Sequence, residues 1–472
     1  MEQITLRDLL NATKGRLAGS FSNLEQPVTG ALSDNRKIEG GEVFFAYIGE
    51  KIDAHRFVPA ALEAGAAGVV VSQIPEELRD DKFYCVVEDT MLAAGDLARW
   101  YRAQFNIPVL AITGSVGKTT TKEMTAAVMA RHFNTLKTEG NLNNNIGLPR
   151  TLLRLNHEIE AAVVEMGMNH RGEISYLTGI GRPTTAIITN IGEAHIGNLG
   201  SKENIFKAKC EIFEGLQPGG AAILNGDDEY LITLRNHPEQ VPNSPKLIYV
   251  GEAPDCDYQA VNIHDEYADH LEFTARTPQG EYEVTVPAPG RHLIYAALTA
   301  MAAGFLHGVP AQEILDGIRD FQSARMRMEI RQLPGGIQLI NDTYNANPQS
   351  MKSALNALSH LEAGSRIAVL GDMFELGELE EELHRGVGRH AASLNLNALV
   401  AVGKAAAAYL ADEAEKSGMQ QVYRCADKEE AKEVLRNLVK PGSAFLCKAS
   451  RGMALEELSA FITDQAGSVS GS

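Results

Sequence analysis

The 472-residue sequence has little of what marks secreted or membrane proteins. Its five cysteines, at positions 85, 210, 256, 425 and 447, are scattered and odd in number, which predicts reduced thiols and not a disulfide framework or a zinc site. No apolar run is long enough to span a bilayer, and the N-terminus lacks the basic segment and apolar stretch of a signal peptide. We therefore expect a cytoplasmic protein without stable membrane insertion.

Positive charge is also scarce, because 43 lysines and arginines face 61 aspartates and glutamates and leave a net charge of −18. A nucleic-acid partner would require a basic stripe, so the composition predicts that there is none. The hydrophobic content of 44% and the charged content of 22% are ordinary for a globular protein. A chain of this length predicts about three domains.

The pattern of apolar runs predicts an α/β fold with three domains. Residues 1–82 mix strand-like and helical segments and form a small N-terminal α/β domain. Residues 83–316 alternate apolar strands with helices, as a central P-loop ATPase-like domain with a parallel sheet would, and carry an antiparallel flap at residues 258–286. A second strand–helix alternation predicts a C-terminal Rossmann-like α/β domain over residues 317–472.

One stretch of the central domain has the pattern of a phosphate-binding loop. The apolar run 107–112 predicts a buried strand, a glycine turn follows, and residues 121–132 favour a helix. A turn at a helix N-terminus directs free backbone N–H groups and a positive dipole end at one point, which suits a phosphate. Lys118 could reach the outer phosphates and the Thr119 hydroxyl could bind Mg²⁺. Ile112 stands where the general pattern has glycine.

Three further residues of this domain could bind a metal or a phosphate. Glu165 ends an apolar run that predicts a strand next to the phosphate-binding loop, so its carboxylate is well placed for Mg²⁺. His195 follows another strand, and either a surface position or a metal or phosphate role fits it. Lys209 falls on the apolar face of the helix predicted at residues 201–216. A lysine on such a face extends its ammonium to the surface, pairs with a carboxylate, or reacts with CO₂ to give a carbamate for a second Mg²⁺.

The motifs in this order resemble those of the Mur ligases of peptidoglycan synthesis. The resemblance runs from about Asp34 to Arg451 and includes the phosphate-binding loop without glycine at position 112. The motifs Tyr-Asn-Ala-Asn-Pro at 344–348 and Gly-Asp-Met at 371–373 resemble the members that add D-alanyl-D-alanine. The resemblance implies that ATP phosphorylates the terminal carboxylate of UDP-N-acetylmuramoyl-tripeptide to an acyl phosphate. The amine of D-alanyl-D-alanine then attacks this acyl phosphate. ATP and Mg²⁺ are the implied cofactors, and a monomer is expected.

The same resemblance implies roles for individual residues. The implied ATP-binding residues are Gly114, Ser115, Val116, Gly117, Lys118, Thr119, Thr120, Arg327 and Asp342. The implied metal ligands are Thr119, Glu165, His195 and Lys209, and the implied catalytic residues are Lys118, Lys209, His195 and Asn145. The implied substrate contacts are Ser33, Asp34 and Arg36 for the uridine end, and Tyr344, Asn345, Asn347, Lys448, Ser450 and Arg451 near the acceptor dipeptide.

Two other functions stay open on the sequence. The chain could be another ligase of the same superfamily, either the ligase that adds the third peptide residue or a folylpolyglutamate synthase. It could instead be a P-loop NTPase that works as a conformational switch without ligase activity. The sequence also departs from the family pattern at Leu293 and Ala296, so the resemblance implies no adenine contacts from that helix, and at Ala449, which replaces a glycine of the family pattern.

Overall fold

The computed structural model describes residues 1–49, 51–267 and 269–469 and has the predicted α/β architecture. Three mostly parallel sheets of five, nine and six strands follow one another along the chain, and a separate two-stranded sheet lies near the N-terminus. The α/β fold class predicted from the alternation of strands and helices is therefore confirmed.

The first region contains a five-stranded sheet with the strand order β2-β7-β6-β5-β4, in which only β2 runs antiparallel to its neighbour. Its elements are β1 Ile4–Thr5, α1 Leu6–Thr13, β2 Arg16–Ala18, β3 Pro27–Val28, β4 Ala31–Leu32, β5 Val43–Phe45, α2 Val58–Glu63, β6 Gly68–Val71, β7 Phe83–Val86 and α3 Thr90–Arg102. Strands β1 and β3 form the separate pair.

The predicted boundary between residues 82 and 83 separates β7 from its own sheet. Phe83–Val86 pairs with both β2 and β6, and Cys85 lies in the buried core. Strand pairing therefore favours a boundary after Val86, in front of α3. The other domain bounds stay a prediction.

The central region contains the nine-stranded sheet, with the order β16-β15-β14-β13-β12-β11-β8-β10-β9. Its elements are β8 Val109–Thr113, α4 Lys118–Met129, β9 Thr135–Lys137, α5 Gly147–Leu152, β10 Ala161–Glu165, α6 Glu173–Gly181, β11 Thr185–Ile188, α7 Ile196–Leu199, α8 Lys202–Cys210, β12 Ala221–Asn225, α9 Thr233–Asn236, β13 Lys246–Gly251, β14 Tyr258–His264, β15 Leu271–Thr277, β16 Gly280–Val286, α10 Leu293–Leu306 and α11 Ala311–Arg319. The expected antiparallel flap continues this sheet, because β14 pairs in parallel with β13 and only β15 and β16 are antiparallel.

The C-terminal region contains the six-stranded sheet, with the order β17-β18-β22-β19-β20-β21 and one antiparallel edge strand, β17. Its elements are β17 Glu329–Leu333, β18 Ile337–Asn341, α12 Pro348–His360, β19 Ser365–Gly371, α13 Glu380–Ser393, β20 Ala398–Val402, α14 Ala411–Lys416, β21 Val422–Cys425, α15 Lys428–Leu438, β22 Ser443–Lys448 and α16 Glu456–Val469. Both faces of the sheet are covered by apolar clusters, as a parallel sheet requires.

The apolar cores differ between the regions. One continuous cluster joins α1 and the first sheet to one face of the central sheet, from Ile4 to Tyr249. The other face of the central sheet packs against α4, α10 and α11. In the described part of the chain, no helix is both long enough and apolar enough to cross a bilayer.

Candidate active site

The principal cavity lies where the carboxyl ends of the central strands face the C-terminal region. Its volume is about 540 Å³, and both regions line it. Ligands of open α/β sheets bind at this end of the strands. Of the predicted site residues, those that line the cavity are Ser115, Val116, Gly117, Lys118, Thr120, Glu165, His195, Arg327, Asp342, Tyr344, Asn345, Asn347 and Lys448.

The phosphate-binding loop connects β8 to α4 as the sequence predicts. Gly117 precedes the helix with φ = 83°, a left-handed conformation that favours glycine. The first-turn N–H groups of a helix have no helical acceptor, and no described side chain caps them here. The Asn190 side chain fixes the loop from the neighbouring strand, because its Oδ1 accepts from the Val116 N–H at 3.0 Å. These free N–H groups at the cavity wall suit an anion.

Lys118 is the first residue of α4, and its ammonium reaches back over the loop and donates to the Gly114 carbonyl at 2.8 Å. Burial lowers the pKa of Lys118, the Glu165 carboxylate raises it, and the Arg327 guanidinium lowers it further. Two cationic side chains from different regions therefore face one another across the cavity. Such a pair is stabilised by an anionic ligand between them.

Glu165, at the end of β10, sits beside the Thr119 hydroxyl. The hydroxyl donates to Glu165 Oε2 at 2.8 Å, and Asn143 Nδ2 donates to Oε1 at 2.7 Å. The backbone N–H of Glu165 donates to Thr138 Oγ1 at 3.0 Å. The carboxylate is only 1% exposed, so these partners hold it in one position. The sequence indicated the asparagine-rich turn but not that Asn143 is the member that reaches Glu165.

His195 borders the cavity and contacts the C-terminal region. Its Nδ1 lies 2.5 Å from Glu375 Oε2, and the hydrogen bond lowers the pKa of the Glu375 carboxyl. Next to this pair the Gly197 N–H donates to the Glu375 carbonyl at 3.1 Å. The residue predicted from a strand end thus also forms part of the contact between two regions.

Lys209 points into the protein, as the helical spacing predicts, and only 1% of it is exposed. Within the described residues its ammonium has no hydrogen bond or ion pair, so pairing with a carboxylate does not account for its burial. Burial lowers the pKa of Lys209 well below its ordinary value, and the nearby Lys118 charge lowers it further.

The C-terminal side of the cavity carries two linked pairs. The Arg327 guanidinium lies 4.1 Å from the centre of the Tyr344 ring, a cation–π distance. Lys448, which is 2% exposed, donates to Asp342 Oδ2 at 2.6 Å and to the Asn345 carbonyl at 2.8 Å. Asp342 and Lys448 were predicted for different ligands, and here they form one buried ion pair.

Other predicted residues lie away from the cavity wall. Ser33, Asp34 and Arg36 belong to the first region, where Asp34 and Arg36 pair with each other at 2.8 Å. Asn145 is exposed, whereas Asn143 and Asn144 line the cavity. Ser450 is buried, its Oγ accepts from the Phe374 N–H at 2.8 Å, and Arg451 pairs with Glu456.

Several cavity residues were not singled out from the sequence. Asn225 ends β12, Asp227 and Asp228 follow it, and His292 and Tyr295 stand at the start of α10. Tyr295 donates to Asp227 Oδ2 at 3.0 Å, and burial lowers the pKa of His292. The Asn-Gly-Asp-Asp turn at a strand end was a signal that could have identified the first group.

Comparison with known proteins shows the same architecture over nearly the whole chain. Residues 112–304 match the Mur ligase middle domain, and residues 326–451 match the Mur ligase glutamate ligase domain. The UDP-N-acetylmuramoyl-tripeptide--D-alanyl-D-alanine ligase of Escherichia coli (strain K12) is 38% identical over 462 residues, which cover 97% of this chain and 98% of that protein.

Two solved structures of MurF extend the comparison. That from Acinetobacter baumannii has a TM-score of 0.90 and 34% identity, with 98% of this chain and 99% of that chain covered. That from Thermotoga maritima, in complex with ADP, has a TM-score of 0.81 and 25% identity, with 93% and 98% covered. Full-length identity, both domain matches and the shared fold agree, and this chain belongs to the Mur ligase family.

Proposed function

We propose that this protein is the ATP-dependent ligase that joins D-alanyl-D-alanine to UDP-N-acetylmuramoyl-tripeptide in peptidoglycan synthesis. The observation that carries the proposal is the shared cavity, in which the phosphate-binding loop faces Arg327, Lys448 and the Tyr344–Asn347 loop of the C-terminal region. The likeness to ligases of this name over nearly the full chain supports the same substrates. Because ATP and the UDP-linked precursor are cytoplasmic metabolites, we place the reaction in the cytoplasm.

The chemistry needs alignment and charge neutralisation more than a protein nucleophile. The tripeptide carboxylate attacks the γ-phosphorus of ATP, which forms the acyl phosphate and releases ADP. The amine of D-alanyl-D-alanine then attacks the acyl carbon, loses a proton, and the C–O bond to phosphate breaks to leave the amide. Lys118 and the helix N–H groups suit the β- and γ-phosphates, and Arg327 suits the phosphates from the opposite wall.

The donor set around Glu165 fits Mg²⁺. The ion prefers hard oxygen ligands, and enzymes commonly hold it with one or two carboxylates and the phosphates of the substrate. Thr119 Oγ1 and Glu165 would hold one ion, and they already lie 2.8 Å apart. The described ranges contain no group of three or more His, Cys, Asp or Glu side chains placed to hold a metal ion. When bound, Mg²⁺ neutralises phosphate charge.

Lys209 is the candidate for a second oxygen ligand, together with His195. A neutral amine can attack CO₂, so that an N–C bond forms, one proton goes to solvent, and a carbamate results. The absence of a described partner and the lowered pKa of Lys209 support this modification. A ¹³C NMR signal from protein equilibrated with ¹³C-bicarbonate, lost in Lys209→Met, would test it. The same spectrum in both proteins would exclude a carbamate at Lys209.

The substrate contacts are proposed on the family resemblance. Ser33, Asp34 and Arg36 would take the uridine end, and Tyr344, Asn345 and Lys448 would border the acceptor dipeptide. Ser450 and Arg451, which follow Lys448 in the chain, would contribute to the same dipeptide site, and Asn145 would lie near the γ-phosphate. We propose a monomer, since one chain supplies both walls of the cavity.

One assay tests the function. The protein is mixed with ATP, Mg²⁺ and the UDP-linked tripeptide, with or without D-alanyl-D-alanine, and phosphate release and product mass are measured. A ligase releases phosphate in sustained turnover only with both co-substrates and gives the pentapeptide mass. A switch NTPase would hydrolyse ATP without the dipeptide, and tripeptides ending in lysine or diaminopimelate identify the preferred precursor.

A further inference from the structure

The contact between His195 and Glu375 joins residues 180 positions apart and from two different regions. His195 follows β11 of the central sheet, and Glu375 follows β19 of the C-terminal sheet. The histidine side chain is 19% exposed and borders the cavity. Its position toward the ligand is therefore set by a residue of the other wall.

The contact distinguishes the two nitrogens of the ring. A carboxylate only accepts hydrogen bonds, so Nδ1, at 2.5 Å from Glu375 Oε2, must carry a proton. Within the described residues Nε2 has no partner. In a neutral ring held this way, the lone pair is on Nε2, which leaves that nitrogen able to bind a metal ion. Carboxylates commonly fix the tautomer and direction of ligating histidines in this manner.

The backbone around the pair supports a built contact. His195 has φ = 63° and Glu375 has φ = 64°, and side-chain-bearing residues rarely adopt such left-handed conformations. Gly197 brings the two loops together, because a Cβ at this position would lie 2.7 Å from both the Glu375 carbonyl oxygen and the Gly377 nitrogen. Uncommon conformations at functional sites persist when the surroundings enforce them.

We propose that Glu375 is a positioning residue of the ligase reaction, which holds His195 as the Nδ1–H tautomer and leaves Nε2 for the ligand. The inference rests on the proposed function and adds a condition to it. Since Glu375 belongs to the C-terminal region, His195 is oriented only when that region is docked on the central one. The active site is then complete only in the docked arrangement.

The first test needs no substrate. Protein labelled with ¹⁵N in its histidine rings is compared as wild type, Glu375→Ala and Glu378→Gln, and His195→Gln assigns the signal. Glu378 is the matched control, since it is exposed on the same loop and has no described side-chain partner. We expect the Nδ1–H pattern for His195 in wild type and Glu378→Gln, and loss of that pattern in Glu375→Ala. The Nε2–H pattern in wild type would overturn the proposal.

The second test distinguishes a Glu375 that orients His195 from a Glu375 that only holds the two regions together. Loss of such an outer partner costs about 10- to 100-fold in activity or metal affinity, so kcat of Glu375→Ala is expected to fall by that factor. Glu375→Gln keeps an acceptor oxygen and should recover part of the loss. In a His195→Ala background, removing Glu375 should cost nothing further, because it acts through the ring. Multiplying losses would refute positioning. If wild type does not ligate, the function fails while the tautomer result still stands.

Discussion

Replacing Lys209 by methionine should stabilise the protein and abolish ligation. The lysine is 1% exposed, has no partner among the described residues and lies close enough to Lys118 for the two charges to repel. Methionine fills a similar volume without a charge. Burying a polar group without a hydrogen bond costs about 1–3 kcal/mol, so we expect a gain of that order. For domains of this size that corresponds to about 2–4 °C in Tm for each kcal/mol.

The stability difference between the two proteins depends on pH, because the pKa of Lys209 is lower in the folded state than in the unfolded chain. Below about pH 10.4 the unfolded chain binds a proton that the folded protein does not bind. Lys209 therefore lowers the free energy of unfolding progressively as the pH falls from about 10.4 to its folded-state pKa. The advantage of Lys209→Met should therefore be large near neutral pH and shrink as pH rises toward 10.

Thermal unfolding in CO₂-free buffer between pH 7 and 9.5 measures this difference. Lys207→Met is the matched control, because Lys207 lies on the same helix, is 52% exposed and pairs with Glu203. It should change Tm little. A Lys209→Met protein that is less stable than wild type, or whose advantage does not vary with pH, would refute the account of Lys209 as an unpaired buried amine.

Three further substitutions test other parts of the site. Lys118→Ala should remove turnover and change Tm by only a few °C, since the ammonium contacts one loop carbonyl and a single hydrogen bond contributes about 1 kcal/mol. Near-normal ligation would contradict its phosphate role. Gly197→Ala should lower kcat and expand the scattering profile, because its methyl meets backbone atoms at 2.7 Å, whereas Gly386→Ala meets open space. His384 donates from Nδ1 to the Glu380 carbonyl and accepts the Met373 N–H at 3.0 Å. Burial lowers the folded-state pKa of His384, so the stability that its two hydrogen bonds contribute is complete above about pH 6.5 and is lost as pH falls. In His384→Gln the Tm should fall less steeply between about pH 7 and 5, and the same slope of Tm against pH in both proteins would refute this role.

The features that the sequence predicted best are local. The glycine spacing identified the loop at Lys118, and helical periodicity placed Lys209 inside. Contacts between distant segments were not predictable, since no spacing rule connects Glu375 to His195. Four asparagines in one turn also carry no local signal for which of them reaches Glu165, and only the folded turn selects Asn143.

The first domain boundary was predicted without knowledge of strand pairing. Apolar composition predicts a strand at residues 83–86, and its pairing with β2 and β6 joins that strand to the first sheet. The pairing of Asp342 with Lys448 was missed because each residue was considered with its own ligand. Periodicity and motifs predict local structure, but they do not predict which residues from distant parts of the chain will pair.

The apolar cluster that runs from Ile4 to Tyr249 has a consequence for how the molecule comes apart. Shared burial couples the first two regions, whereas the last one has its own clusters on both faces of its sheet. Calorimetry should accordingly resolve two heat-absorption peaks, a larger one for residues up to about 320 and a smaller one for the remainder. An ATP analogue that touches both walls should merge them.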